Sequence, residues 1–296
     1  MVFVTTYNFA TIDPRPFALT GELEKLAAMG RTLGAEVTVP ALAAALTEGN
    51  IDPQHTGGDA STAAIEVAVT WPLPPEGTTI VTVRPDADAF GVMAVLSLRE
   101  EGVVVERGIL DRVDLIAVTD KGHGEWSPVS GDVTASAFDG LKVEVMNFRR
   151  GVEERVALVR DWLLTGDFAG SEDALVRVEQ ERRETVGLLD EVELASSDRV
   201  AVITTASRFG VSAAYACAGV VVAVNPVFRF AGGEPHRKVT VCQTRPGLVD
   251  LKAVFTALSE TEPGWGGSPT IGGSPQGVSS VIATEDIVKV VEEHLL

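Results

Sequence analysis

Thr79-Ile80-Val81-Thr82-Val83-Arg84-Pro85-Asp86-Ala87-Asp88-Ala89-Phe90-Gly91 decides the fold of this chain. A β-branched apolar run, as a buried strand requires, passes through Arg-Pro into two aspartates one residue apart. Small residues then open a helix expected over Ala89 to Glu101. A strand that empties directly into a helix is the repeating unit of parallel α/β architecture, in which ligands sit beyond the carboxyl ends of the strands. Asp86 and Asp88 stand at such an end. Two carboxylates there can face one or two hard cations; they can equally cap the helix and complement its dipole.

Outward from this segment the alternation continues. Val2 to Thr6 reads as a strand, Phe17 to Leu33 as a helix, Ala35 to Val39 as a strand, Ala41 to Leu46 as a helix, and Ser61 to Val69 as a helix broken by Pro72, Pro74 and Pro75. Downstream, Val103 to Glu106 and Leu115 to Thr119 read as strands, the second stopping at Asp120. Residues 152–194 carry Glu, Arg and Leu at helical spacing with a turn at Gly166 to Gly170, which predicts one or two long connecting helices. The alternation restarts at Arg199 and runs to a final helix over Glu285 to Leu296. The expected architecture is α/β, with a mainly parallel sheet and flanking helices over 1–150, a helical connector over 151–195, and a smaller C-terminal α/β domain with a Gly-rich loop over 196–296.

Composition narrows the function. The chain has 296 residues, with 24 Lys+Arg against 42 Asp+Glu, a net charge of −18. So acidic a surface repels a long phosphate backbone, which argues against duplex nucleic acid as a partner, whereas a metal ion or a local Arg can still admit a small phosphorylated ligand. With 45% hydrophobic residues the chain reads as packed and globular. Its two cysteines, Cys217 and Cys242, build no disulfide framework or Cys-based zinc site. No basic leader or long uncharged apolar run is present, so a cytoplasmic protein without a membrane partner is expected. The 152–194 region is long enough to serve as a homodimer contact.

Three further groups of residues could carry chemistry. Val113 to Trp126, VDLIAVTDKGHGEW, places Asp120 at a predicted strand end with His123 three residues on, flanked by Gly122 and Gly124. A carboxylate with an imidazole suits Mn²⁺, Fe²⁺ or Zn²⁺; the same residues also make a turn. Asp52 and His55 share the loop IDPQHTGGD, a second carboxylate–imidazole pair. In the C-terminal block, Gly264 to Gly277 repeats Gly-Gly-Ser-Pro: Gly266, Gly267, Ser268, Gly272, Gly273 and Ser274 permit a tight loop whose N–H groups converge on an anion. The other reading of that segment is a linker.

Taken together, Arg84 to Gly91 and Gly266 to Gly273 resemble the DHH phosphoesterase superfamily, with its DHHA1-type C-terminal domain. The first stretch is similar to a family motif in which a His is followed four and six residues later by Asp; the second to a Gly-Gly-His…Gly-Gly loop that in the family holds substrate against the metals. The resemblance implies hydrolysis of a small nucleotide, short oligonucleotide or other small phosphorylated compound with Mn²⁺ or Mg²⁺. It further implies Asp86, Asp88 and Asp120 as catalytic carboxylates, Asp52, His55 and His123 as additional metal ligands, and Arg84 with the 266–274 loop as the substrate-binding groups. The sequence departs from the pattern at three places. Thr82 and Ser268 stand where the family has His, and no Asp-His-His occurs. A relative that binds ligand or serves as a scaffold without turnover is the alternative those departures leave open.

Overall fold

In the computed structural model, which describes residues 6–54, 62–122, 133–229 and 233–296, the chain divides into two compact units. The first spans Met1–Asp120 and Gly131–Val178, and the second takes the rest, chiefly Glu179–Leu296. In the first unit the elements run β1 (Asn8–Thr11), α1 (Leu19–Met29), β2 (Thr32–Ala35), α2 (Pro40–Ala43), β3 (Asn50–Ile51), α3 (Ala64–Ala68), β4 (Thr79–Thr82), α4 (Ala87–Glu100), α5 (Arg107–Gly122), α6 (Val133–Val145) and α7 (Val152–Thr165), with α8 (Glu172–Gly187) crossing the boundary. The strands form one parallel sheet in the order β1-β4-β2-β3.

Every residue of β4 is buried, which is why Thr79-Ile80-Val81-Thr82 is β-branched throughout and carries no charge, where a half-exposed strand would alternate. Ile80 faces a core shared with Leu33, Phe90, Met93 and Trp162, while Val81 and Val83 face a second layer with Leu26, Val37 and Leu42. Helices therefore cover both faces. The α4 helix, buried at all positions from Asp88 to Leu98, is the central helix of the first core, consistent with its all-round apolar sequence. Beside it α7 contributes Val156, Val159, Trp162 and Leu163, with the Trp162 and Phe138 rings stacked at 5.1 Å. The helices expected in the connector thus begin with one that belongs to the first core.

Three readings of local sequence are corrected. Leu115 to Thr119 is helix within α5, not strand. Its β-branched composition favours a strand, but Ile109, Val113, Ile116 and Ala117 are buried at helical spacing, and that burial prevails over local preference. Nor does Val103 to Glu106 form a strand. Strand β2 ends at Ala35 and does not run to Val39, because Glu36 takes a left-handed backbone at φ 55°.

The second unit carries β5 (Glu193–Leu194), β6 (Val200–Thr204), α9 (Gly210–Tyr215), β7 (Val220–Phe228), β8 (His236–Gln243), α10 (Leu251–Thr261), β9 (Gly266–Gly267), β10 (Ile271–Gly273) and α11 (Thr284–Glu293). Its sheet, ordered β5-β6-β7-β8-β10-β9, is mixed: β6 and β7 pair in parallel, the remaining pairs antiparallel. The helices α10 and α11 bury Val254, Phe255, Leu258, Ile287 and Val291 on one face, and α9 covers the other. Both cysteines are free, and among the described residues no helix is long and apolar enough to cross a membrane.

The Gly-rich segment is thus an edge hairpin, and its glycines answer to close backbone contact. A Cβ on Gly273 would lie 2.2 Å from the Val239 carbonyl oxygen, whereas one on Gly266 would meet nothing within 4 Å. Gly273→Ala is expected to lower the urea unfolding free energy by about 1–3 kcal/mol, and Gly266→Ala to leave it unchanged; equal effects would remove this account of the hairpin.

Candidate metal centre

Because the first sheet is parallel, its strands deliver their carboxyl ends to one edge, and the chemistry gathers there. At the end of β4, the Thr82 hydroxyl donates to the Arg84 carbonyl and accepts from the Arg84 N–H, each at 2.9 Å. That closed turn redirects the chain into Pro85 and Asp86. Asp86 is the N-cap of α4, with its Oδ1 accepting from the Ala89 N–H at 3.0 Å. Asp88, the second residue of α4, accepts the N–H groups of Ala64 and Ile65 through its two oxygens, both at 2.8 Å. It holds the start of α3. The capping role weighed against metal binding is therefore real for both aspartates, and for Asp88 it belongs to a different helix.

Glu36 follows β2 directly. In register, Ala35 pairs with Ile51 and Gly34 with Val81, and the Glu36 N–H donates to the Ile51 carbonyl at 3.0 Å. Its side chain is 1% exposed. Asp120 arrives from α5 on the face that buries Val113, Ile116 and Ala117, and its Oδ2 accepts from Gln54 Nε2 at 2.6 Å. Glu36, Asp88 and Asp120 each offer a carboxylate oxygen within 4.8 Å of the others.

Three carboxylates so close and so buried are costly unless protonated or paired with a cation. Burial pushes the Glu36 carboxyl well above its ordinary range, and Asp86, Asp88 and Asp120 push it further, against Arg84. Burial, then Asp120, raises Asp88 to about 8, although two backbone N–H groups oppose the shift. Asp86 is raised too, by burial first. The cation in reach of Glu36 is Arg84, whose guanidinium lies 3.8 Å from Glu36 Oε1 and is 43% exposed. Glu36 Oε2 is buried and accepts from no N–H or hydroxyl donor among the described residues, and the Glu36 and Asp86 side chains share a hydrogen bond, which needs a proton on one of the two when no cation is bound. An all-oxygen donor set fits a hard divalent cation of the Mg²⁺ or Mn²⁺ type.

Of the residues expected at the site, Asp88 and Asp120 converge and Asp86 and Arg84 flank them. Asp52 sits one residue past β3, level with Glu36, and is buried at 2% exposure, but is not one of the three. His55 and His123 lie outside the described residues. Asp120 stands on a helix and not at a strand end. Glu36 was not expected at all, and a signal for it exists: it is the single charge inside the apolar run Leu33 to Val39.

In the second unit, Gly266, Gly267 and Ser268 line a cavity of about 750 Å³ with Phe255 and Trp265. Gly272 and Gly273 lie in β10, and the Ser274 hydroxyl accepts from the Val239 N–H at 3.0 Å, tying it to β8.

No family model matches this chain, and no curated protein does. Solved structures do. A pGpG-specific phosphodiesterase, PggH from Vibrio cholerae, is 12% identical with a TM-score of 0.42 over 97% of each chain. An exopolyphosphatase-related protein from Bacteroides fragilis is 12% identical with a TM-score of 0.35, over 87% of this chain and 66% of its own. At such identities and scores neither likeness carries an activity to this chain.

The electrostatics make a signed prediction. Folded-state carboxyls raised above their unfolded values give stability that is full below about pH 4. It is lost as pH rises toward the Asp88 value of about 8, since the unfolded chain ionises first. In thermal melts the metal-free protein should therefore weaken from pH 5 to pH 8, and Mn²⁺ should stabilise it more at pH 8, where the ligands are deprotonated. Glu36→Gln is expected to have opposite effects on the two states, raising the metal-free melting temperature at pH 8 while weakening Mn²⁺ binding by more than the roughly tenfold that loss of an outer partner costs. A variant that moves both in the same direction would contradict the assignment.

Proposed function

We propose that this chain is a divalent-metal-dependent phosphoesterase that hydrolyses a small nucleotide, short oligonucleotide or other small phosphorylated compound. Mn²⁺ or Mg²⁺ is its metal. One observation carries the reading: Glu36, Asp88 and Asp120 converge at the carboxyl edge of a parallel sheet, each offering an oxygen within 4.8 Å of the others. The resemblance of Arg84 to Gly91 to the DHH motif supports it independently, since that motif contributes Asp88.

A divalent cation held there supplies an activated water and charge neutralisation at phosphorus. The chain's own residues do the rest. Glu36, Asp88 and Asp120 would hold the cation, with Gln54 fixing the Asp120 carboxylate. Arg84, partly exposed beside Glu36, would meet the phosphoryl oxygens, where a guanidinium makes paired charge-assisted bonds. Asp86, whose pKa burial raises, stands beside the cluster as a candidate proton donor or acceptor for the leaving or attacking oxygen. The net charge of −18 does not forbid an anionic substrate, because at physiological salt surface charges are screened beyond about 8 Å.

The second reading, a relative that binds ligand without turnover, is favoured by Thr82. Its hydroxyl is consumed in the Arg84 turn, so the family's His position contributes no ligand here. An Asp86→Asn/Asp88→Asn double variant decides between them. Mn²⁺-dependent phosphate release should fall by about 100-fold or more, about 2.7 kcal/mol of barrier, in protein whose circular dichroism still shows the fold. Unchanged turnover would remove the phosphoesterase reading, and nucleotide-dependent thermal stabilisation with no release from the wild type would favour the second. Arg84→Ala is expected to raise KM with little change in melting temperature.

A further inference from the structure

We propose that Phe17, held by Asp13 and Arg15, is a stacking platform for the base of the substrate, which makes that substrate a nucleoside phosphate and not an inorganic or sugar phosphate. The inference rests on the phosphoesterase reading for its substrate, but not for its geometry.

Phe17 is 79% exposed, in a protein whose other phenylalanines include fully buried Phe90. The segment that presents it leaves the sheet beside the metal centre. Strand β1 pairs with β4 through Thr11 and Thr82, and the Ile12 N–H extends the ladder to the Thr82 carbonyl at 2.9 Å. Asp13 and Arg84 are therefore the matching second residues beyond neighbouring strand ends, at the edge where Asp86 and Asp88 follow.

The segment is stiff. Pro14 and Pro16 fix their own φ, and each holds the residue before it extended; Arg15 has φ −70° and ψ 139°. Phe17 then lies in a short 3₁₀ turn, Pro16–Ala18, that runs straight into α1, with the Leu19 N–H donating to the Pro16 carbonyl. Little ordering entropy remains for a ligand to remove.

Arg15 sets the chemistry. Its guanidinium carbon lies 4.6 Å from the centre of the Phe17 ring, and its Nε donates to both Asp13 oxygens, at 2.8 and 2.9 Å, with a further contact from Nη2. The pair is firm enough to hold the Asp13 carboxyl down to about 2. A guanidinium already matched by a carboxylate is a poor phosphate clamp. The guanidinium covers one face of the Phe17 ring, so the exposed ring offers its other face, and stacking on an aromatic face accepts any base. Arg84, one strand over and paired with Glu36 at only 3.8 Å, is the cation left to meet phosphate.

Phe17→Trp turns the platform into a fluorophore on an exposed side chain. With Mn²⁺ present, adenosine monophosphate should quench the added emission saturably relative to wild type, and ribose 5-phosphate should not. No quench by the nucleotide, or equal quench by both, would overturn the platform. Phe17→Ala should raise KM for a nucleoside phosphate roughly tenfold and leave KM for a base-free phosphate unchanged; equal changes for both would likewise overturn it. Phosphate release by the wild type reads catalysis separately: quench of Phe17→Trp with no release by the wild type keeps the platform and loses the phosphoesterase reading, and the reverse result does the opposite.

Discussion

Burial of the Asp88 carboxylate is the constraint on which the rest of the first unit depends. Its two oxygens are spent on the Ala64 and Ile65 N–H groups, so the same side chain that faces Glu36 and Asp120 also fixes where α3 begins. Local N–H donors favour the ionised form, while desolvation and the neighbouring carboxylates favour the neutral one, and the second set prevails. A cation held in the cluster would favour the ionised form. Metal affinity would then be linked through one group to the packing of α3 against α4, and the two aspartates of the motif, structural in either case, would carry both roles.

This explains which parts of the site were legible. Asp86 and Asp88 could be read because a strand running into a helix places them by local geometry alone. Asp120 was legible as a residue but not as an element. Its segment is β-branched, and only the spacing of Ile109, Val113, Ile116 and Ala117, continued to Asp120, shows the helix whose buried face aims it inward. Glu36 stands out as the single charge between Leu33 and Val39, but its place at the site could not be read, because that place depends on pairing. Nothing in Leu33 to Val39 says that the strand ends at Ala35, and the left-handed backbone that ends it is held by a bond to Ile51, from a strand of two residues.

The parallel, doubly covered sheet of the first unit was readable from the uncharged, β-branched run of β4 and its direct passage into α4. The mixed sheet of the second was not, since antiparallel and parallel strands of six or seven residues share the same Val-rich composition, and only pairing distinguishes β7–β8 from β6–β7. The glycines of 266–274 show the same ambiguity in another form. A loop that wraps an anion and a hairpin that packs backbone on backbone both demand glycine, and the contacts of Gly267 and Gly273 with neighbouring backbone meet that demand without any ligand. Gly266, which has no such contact, borders the Phe255–Trp265 cavity instead.

Charge supplies the last step. A surface of −18 would seem to expel phosphate, but the quantity that matters at the carboxyl edge is local. There the carboxylates outnumber the cations, Arg15 is neutralised by Asp13, and Arg84 touches Glu36 only at 3.8 Å. In the absence of a metal, burial and mutual repulsion raise Glu36, Asp86 and Asp88, which opposes their ionised forms. On the proposed reading a divalent cation would favour the ionised carboxylates as ligands and offset their charge, and access of a phosphorylated ligand would then follow occupancy of the cluster and not the overall field.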